Sequence, residues 1–461
     1  MKRTLAKDVG NFVDSTVLMQ GWAQTVRDHA KVAFIDLRDR TGLTQLVFTN
    51  NLLEKVRQVS PESVITIEGK VSARPQSLVN VNIVSGAFEI QVEKLTIESL
   101  AKTLPMPLND RDVSEDIRLK YRYLDLRSQK MAENMRLRHQ MNQFFRDYLT
   151  KEEFTEVETP YISKSTPEGA RDYLIPARIE PGKFYALPQS PQQYKQLLMV
   201  GGIEKYFQIV RCFRDEDARI DRQPEFTQLD IELSFTTQEE VLALIESMYK
   251  DMIKTIFPEK VLTFTDFPRL NYHEVMEKYG TDRPDLRQDP TNEDELAFAF
   301  VVNFPMFEWK EGHKRWGAVH HPFTAPTTEW QDTFEKHPEK AIAQQYDLVL
   351  NGGEVAGGSI RIHQPAVLER VFQFLGHSQA EIQRNFGHLL EAFEYGVPPH
   401  GGFASGLDRL YATLLKEKTA DGALIRNVIA FAKAGDGRDL MMNSPSTVDA
   451  AQLKELGITT T

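Results

Sequence analysis

Five β segments fill residues 15–97, and nothing else in the chain restricts its folding as much. They run over 15–26, 32–40, 43–49, 63–73 and 87–98. Phe88-Glu89-Ile90-Gln91-Val92 shows the period of two that puts one face of a strand in a core and the other in water. A single helical stretch, 51–59, separates the third segment from the fourth. Short half-apolar strands must pair with one another to bury that face, so this region is expected to be a small β-barrel with its own core.

Five strands with a helix after the third is the order of an OB barrel, a fold that often binds oligonucleotides. Another small barrel would satisfy the same order. Leu104-Pro105-Met106-Pro107 breaks the pattern. The expected division is therefore an OB barrel over 1–104, a hinge or linker over 105–130, where 110–127 is rich in both charge signs, and a larger domain over 131–461. That domain begins with a long helix bearing Leu137, Met141, Phe144 and Tyr148, then mixes strands and helices to its end. Ser378 and Glu381 form a capping box and Gly396 a stop around a helix carrying Phe386, Leu389, Leu390 and Phe393. The expected class is α+β, centred on an antiparallel sheet flanked by helices.

Composition is that of a globular protein, 41% hydrophobic and 26% charged. No run is apolar enough to span a bilayer and no secretory signal precedes the barrel, so no membrane partner is expected and the expected location is cytoplasmic. Cys212 is the single cysteine, which excludes an intramolecular disulfide and a multi-cysteine metal site. The net charge of −11 is unevenly spread: residues 1–104 hold 13 Lys and Arg against 11 Asp and Glu. A nucleic-acid contact is thus expected on the barrel or in local basic patches.

Three clusters carry chemistry. In the first, a strand over 206–213 enters the charged loop Phe213-Arg214-Asp215-Glu216-Asp217, and a second strand over 227–234 leaves it after Asp221-Arg222-Gln223-Pro224-Glu225-Phe226. Arg214 at a strand end can grip an anion with two hydrogen bonds; a solvated hairpin tip has the same composition. In the second, Gly401-Gly402-Phe403-Ala404-Ser405-Gly406-Leu407-Asp408-Arg409 places small residues before a helix, allowing close backbone approach to a ligand. A plain turn would read alike. The third, 351–361, spaces glycines between Glu354 and Arg361.

Together the clusters resemble the signature motifs of the class II aminoacyl-tRNA synthetases. The long helix ending in Phe154-Thr155-Glu156-Val157-Glu158-Thr159-Pro160 is similar to the first motif, 213–228 to the second and Gly406-Leu407-Asp408-Arg409 to the third. The barrel places the chain in the subgroup for aspartate, asparagine or lysine. Ser165-Thr166-Pro167-Glu168-Gly169-Ala170-Arg171-Asp172, Gln189-Ser190-Pro191-Gln192-Gln193-Tyr194-Lys195-Gln196 and His320-His321-Pro322-Phe323-Thr324 resemble the bacterial aspartyl enzymes. That resemblance implies an aspartate–tRNA ligase: aspartate attacks the α-phosphate of ATP, and the aspartyl group then passes to tRNA-Asp. It implies that Arg214 bridges aspartate and the α-phosphate, and that Asp215, Glu216, Gln223 and Phe226 hold ATP. Gly406, Leu407 and Asp408 line the nucleotide and Arg409 takes its γ-phosphate. Asp347 and Glu354 would bind Mg²⁺. Lys195 and Arg361 would receive the aspartate side chain, Glu168 and Gln192 its ammonium group, and His320 would complete the pocket.

On the barrel the resemblance makes Phe34 a stacking platform for an anticodon base, with Arg27, Gln45 and Glu89 for phosphate and base edges; a core role for Phe34 is the plain alternative. A histidine at position 29, in the loop after the first strand, is similar to the enzymes that charge tRNA-Asn as well as tRNA-Asp; a solvated loop residue is the other reading. The first motif implies a homodimer. The family's domain-sized insertion between the second and third motifs is reduced to a short connector near 280–304, and Ser405 and Ala432 stand where an aromatic and a proline are usual. An asparaginyl or lysyl enzyme, or a tRNA-binding paralogue without catalysis, are the competing readings; Lys195 with Arg361 counts against the first two, Arg214 with Arg409 against the third.

Overall fold

A computed structural model describes residues 1–110, 112–166, 169–419 and 422–459. The chain forms two compact units, Met1–Pro107 and Leu108–Thr461. In the first, β1 (Thr16–His29), β2 (Val32–Asp39), β3 (Gly42–Thr49), β4 (Val64–Ala73) and β5 (Phe88–Ser99) close a barrel in the order β1-β2-β3-β5-β4. Only the β3–β5 pair is parallel. Val17, Met19, Ile35, Leu37, Leu46, Ile65, Ile67 and Ile90 point inward and are buried. The residues between them face outward, as the period of two requires. The helical stretch is shorter than expected: a 3₁₀ turn, Asn50–Leu52, and one α turn, Leu53–Val56, with Val56 in the barrel core. β1 extends through residue 29, so His29 ends a strand rather than sitting in a loop.

The charged stretch 110–127 lies in the second unit. Among its described residues, helices Glu115–Lys120 and Arg122–Asp125 form. Arg122 is buried and donates to the carbonyls of Arg426, Ile429 and Ala430 and to Asp125, which explains how a guanidinium tolerates that position.

An eight-stranded sheet organises this unit. Its strands are β6 (Thr155–Glu156), β7 (Lys205–Phe213), β8 (Glu225–Ser234), β9 (Arg269–Asn271), β10 (Phe298–Val302), β11 (Gln345–Leu350), β12 (Gly353–Ile360) and β13 (His400–Gly406), in the order β9-β10-β11-β12-β13-β8-β7-β6. The pairings are antiparallel except at the two edges, β9–β10 and β6–β7, which are parallel. The helices that flank or follow it are α1 (Gln129–Lys151), α2 (Gln192–Val200), α3 (Gln238–Ile256), α4 (Pro365–Phe374), α5 (Gln379–Glu394) and α6 (Leu407–Leu414). In α3, Val241, Leu242, Ile245, Met248, Tyr249 and Met252 recur at helical spacing and share one core with Met141, Phe145 and Leu149 of α1 and with Leu229, Ile231, Leu348 and Phe403 of the sheet. The expected capping box at Ser378 forms, and a second forms at Thr237 with Glu240. α4 and α5 pack through Phe372 and Phe386, whose rings stack 4.1 Å apart.

Six of the ten residues of β8, Thr227 through Glu232, are buried. Polar side chains on it point into protein instead of water, and the site follows from that. No helix among the described residues is long and apolar enough to cross a membrane.

Candidate active site

Asp230 and Glu232 stand two residues apart on β8, so both project to the same face of the sheet. Both are fully buried, and each needs a cation. Lys195 on α2 donates to Asp230 and lies 3.1 Å from Glu232. Arg361, just past β12, donates to both oxygens of Glu232 at 3.0 and 3.2 Å and to the Ser359 hydroxyl at 2.7 Å. Burial alone would raise the Glu232 pKa; Arg361 and Lys195 outweigh it and bring it to about 2. Burial keeps the Asp230 pKa raised despite Lys195. Glycines opposite leave room for Glu232 here and for Asp347 nearby. A Cβ at Gly402, paired with Glu232 across the sheet, would lie 1.9 Å from the Glu232 carboxylate. A Cβ at Gly357 would lie 2.7 Å from Asp347.

The structure therefore brings Lys195 and Arg361 together around two acids that the motif reading left out. Among the described residues, the buried atoms Asp230 Oδ2, Gln192 Nε2, His321 Nε2 and Arg214 Nε have no hydrogen-bond partner. Buried polar atoms are almost always bonded, so a set of orphans beside a charged cluster is what a missing polar ligand leaves. Glu168 lies outside the described residues.

Next to this cluster is a cavity of about 260 Å³, lined by Arg214, Glu216, Gln223, Phe226, Glu354, Gly406 and Arg409 among others. The Arg214 guanidinium sits 5.0 Å from the centre of the Phe226 ring. A flat aromatic ligand on Phe226 would thus meet a cation nearby. Arg409 donates to the Glu354 carbonyl at 2.7 Å and to Asp221 at 3.2 Å. Gln223 is held by the backbone of Lys433 through both ends of its amide. Two motif residues are structural in their side chains. Leu407 is in the core, and Asp408 clamps Arg138 of α1 and the Thr227 amide of β8, at 2.5 and 2.8 Å. Asp215 faces away, into a larger cavity of about 770 Å³ shared with Arg171 and Lys433. Ser405 is buried and accepts the Tyr249 hydroxyl at 2.6 Å, and Ala432 joins the core, so both unusual residues turn inward.

Asp347 and Glu354 interact across β11 and β12. Burial and Asp347 together raise the Glu354 pKa to about 6. Two carboxylates that penalise each other's charge suit a hard divalent cation, which prefers oxygen ligands and completes its shell with phosphate and water. Among the described residues no group of three or more His, Cys, Asp or Glu is arranged to hold a metal alone. His320 is placed with this pair: its Nε2 is 3.3 Å from Asp347, and its ring packs on Phe304. Burial lowers its pKa, but Asp347 overrides this and raises it. The histidine near Lys195 and Arg361 is the next residue, His321.

On the barrel, Phe34 is half-buried on the outer face and is not in the core. Arg27 lies opposite it across β1 and β2 and is held by both oxygens of Asp36 at 2.6 and 2.9 Å. Gln45 pairs with Glu89 across β3 and β5 and donates to it at 3.0 Å. The His29 ring meets Phe34 edge-on at 6.0 Å. These five residues thus form one outward band. Arg74 extends it: its side chain is largely buried, with Nε 3.7 Å from Glu89 and, among the described residues, no hydrogen-bond partner for Nε or Nη2.

Residues 114–435 match the model of the tRNA synthetases class II (D, K and N), and residues 17–98 the OB-fold nucleic acid binding domain. The chain is 40% identical to the aspartate–tRNA(Asp/Asn) ligase of Thermoanaerobacter pseudethanolicus, covering 97% of this chain and 96% of that one. It is 38% identical to the aspartate–tRNA(Asp/Asn) ligase of Syntrophomonas wolfei, covering 97% of each. The first alignment runs over 574 positions against 461 residues in the chain, so that relative carries residues with no counterpart here. In fold the chain is similar to the asparaginyl-tRNA synthetase of Pyrococcus horikoshii complexed with asparaginyl-adenylate, with a TM-score of 0.75 at 22% identity over 94% of this chain and 98% of that one. A putative aspartyl-tRNA synthetase from Leishmania major gives 0.75 at 21% identity, over 94% of each.

Proposed function

The chain belongs to the class II aminoacyl-tRNA synthetases of the aspartate, lysine and asparagine group, and on that premise we propose how its residues carry out the reaction. It is an aspartate–tRNA ligase that activates L-aspartate with ATP and charges tRNA-Asp and tRNA-Asn. The observation that carries the substrate assignment is the Lys195–Arg361 cluster beside the cavity lined by Arg214, Phe226 and Arg409. Two buried cations, preset by Asp230 and Glu232, form a site for one further carboxylate.

In the first step an oxygen of the substrate α-carboxylate attacks the α-phosphorus of ATP. The bond from that phosphorus to the bridging oxygen breaks and pyrophosphate leaves. In the second, a ribose hydroxyl of the terminal tRNA nucleotide attacks the aspartyl carbonyl and AMP leaves. Charge develops on phosphate oxygens, so fixed cations are the effective catalysts. Arg214, whose Nε has no partner among the described residues, orients the α-carboxylate and the α-phosphate. Phe226 stacks the base, Glu216 and Gln223 bound its pocket, and Arg409 receives the γ-phosphate. Asp347 and Glu354 would hold Mg²⁺, which when bound neutralises phosphate charge. Gln192 and Asp230 Oδ2 take the substrate ammonium group. The outward band of Arg27, His29, Phe34, Gln45 and Glu89 reads unstacked anticodon bases. The enzyme works in the cytoplasm as a homodimer, through the motif formed by α1 and β6; sedimentation as an active monomer at micromolar concentration would count against that.

The test is ATP–pyrophosphate exchange with aspartate, asparagine and lysine offered separately. Exchange that depends on aspartate and Mg²⁺ supports the assignment. Exchange with asparagine or lysine but not aspartate refutes it.

A further inference from the structure

Arg138 of α1 reaches three segments that build the ATP cavity, although no described residue of α1 lines that cavity itself. Its Nη1 donates to Asp408 at 2.5 Å and to the Val428 carbonyl at 3.0 Å, and its Nη2 donates to the Thr227 hydroxyl at 3.0 Å. The guanidinium also lies over the Tyr411 ring of α6, 5.2 Å from its centre. Each partner sits beside a residue that faces the nucleotide. Thr227 follows Phe226 on β8, and Asp408 precedes Arg409 at the start of α6. Val428 lies between Ile425, which lines the cavity, and Lys433, whose backbone holds Gln223.

The Asp408 carboxylate closes this frame, because its other oxygen accepts the Thr227 amide at 2.8 Å. One buried carboxylate thus ties the start of α6 to β8, and with them Arg409 and Phe226. A carboxylate in that position needs a cation, and the one it pairs with is Arg138. A guanidinium presents its donors in a rigid planar fork, so bonding Asp408, Val428 and Thr227 at once fixes where the three stand relative to one another. An ammonium group is a point charge on a flexible stem and imposes no such geometry. We propose that Arg138 is a positioning residue for ATP: without touching the nucleotide, it sets the spacing of Phe226, Arg409 and Gln223 around it. The aspartate site hangs on a different frame. Lys195 and Arg361 take Asp230, Glu232 and Ser359, none of which Arg138 touches. Loss of Arg138 therefore falls on ATP and spares aspartate.

This inference rests on the reading of the cavity as the ATP site, and the test separates the two. ATP–pyrophosphate exchange is measured for wild type, Arg138→Met, Arg138→Lys and Phe226→Ala, with KM determined for ATP and for aspartate. A misplacement of about 1 Å remote from the chemistry can cost on the order of 100-fold. KM for ATP should therefore rise roughly 10–100-fold in Arg138→Met and less in Arg138→Lys, which keeps the charge but loses the fork. KM for aspartate should stay near its wild-type value in both. An unchanged KM for ATP in Arg138→Met overturns the role, as does an equal rise for ATP and aspartate. If Arg138→Met does not fold, Arg138→Lys decides alone: a rise confined to ATP supports the role, and wild-type values overturn it. Phe226→Ala alters the cavity directly, so an unchanged KM for ATP there overturns the ATP reading and this inference with it. A raised value there beside wild-type kinetics in the Arg138 variants overturns the role of Arg138 alone.

Discussion

Replacing Arg361 with leucine removes two hydrogen bonds and one of two cations from Glu232, a carboxylate that water does not reach, and a third hydrogen bond from Ser359. Lys195 remains at 3.1 Å but is shared with Asp230. Breaking a buried pair from one side costs about 3–5 kcal/mol, because the surviving charge is left without compensation. With a urea slope of about 3 kcal/mol/M, that lowers the unfolding midpoint by roughly 1–2 M. Aspartate-dependent exchange should be lost as well, while nucleotide binding persists, because Arg361 does not line the ATP cavity. The decisive comparison adds Glu232→Gln to Arg361→Leu. Removing the stranded charge should return part of the lost stability without restoring exchange. Coupling of this kind is expected for residues in direct contact. Wild-type stability in Arg361→Leu would refute the ion-pair argument. A double variant whose loss equals or exceeds the sum of the two single losses would refute it too.

Phe226→Ala should raise KM for ATP about tenfold, leaving KM for aspartate near its original value, since the ring offers stacking area beside Arg214; equal changes in both would contradict the division between the two pockets. Acid should weaken the fold through Glu232, whose pKa falls from an ordinary 4.5 to about 2 in the folded protein. Its contribution is complete above about pH 4.5 and is lost as the pH drops toward 2, so urea midpoints at pH 3 and pH 6 should differ less in Glu232→Gln than in wild type. Phe34→Ala should weaken tRNA binding by about 1–3 kcal/mol, the worth of one base stack. It should leave ATP–pyrophosphate exchange unchanged, and a drop in exchange would remove Phe34 from the anticodon role.

The barrel was legible because its strands each have one wet face, so alternation along Phe88–Val92 or β2 reports burial directly. Phe34 on the outer face follows from the same alternation: Ala33, Ile35 and Leu37 are the inward residues of β2. The rule fails on β8. There Leu229-Asp230-Ile231-Glu232-Leu233 has the pattern of a half-exposed strand, but the strand is central and covered on both faces, so its two acids became the foundation of the site. The available signal was two carboxylates two apart among Leu229, Ile231 and Leu233, with Ala404 and Gly402 at the facing positions. Gly402 does permit a close approach, as its sequence context suggested, but what approaches is the Glu232 carboxylate. His320 and His321 could not be told apart in the sequence, since neighbouring residues on an irregular segment point wherever packing sends them. Asp408 was legible as part of a motif but not as a clamp, because Arg138 lies 270 residues away in the chain.

The central claim is that this site makes aspartyl esters of tRNA. It is tested most directly by aminoacylation of purified tRNA-Asp and tRNA-Asn with labelled aspartate, with asparagine and lysine in parallel reactions. The account predicts that aspartate is transferred to both tRNAs in a reaction that needs ATP and Mg²⁺, and that neither of the other amino acids is transferred. Transfer of asparagine or lysine in place of aspartate, or no transfer of any amino acid to either tRNA, would contradict it.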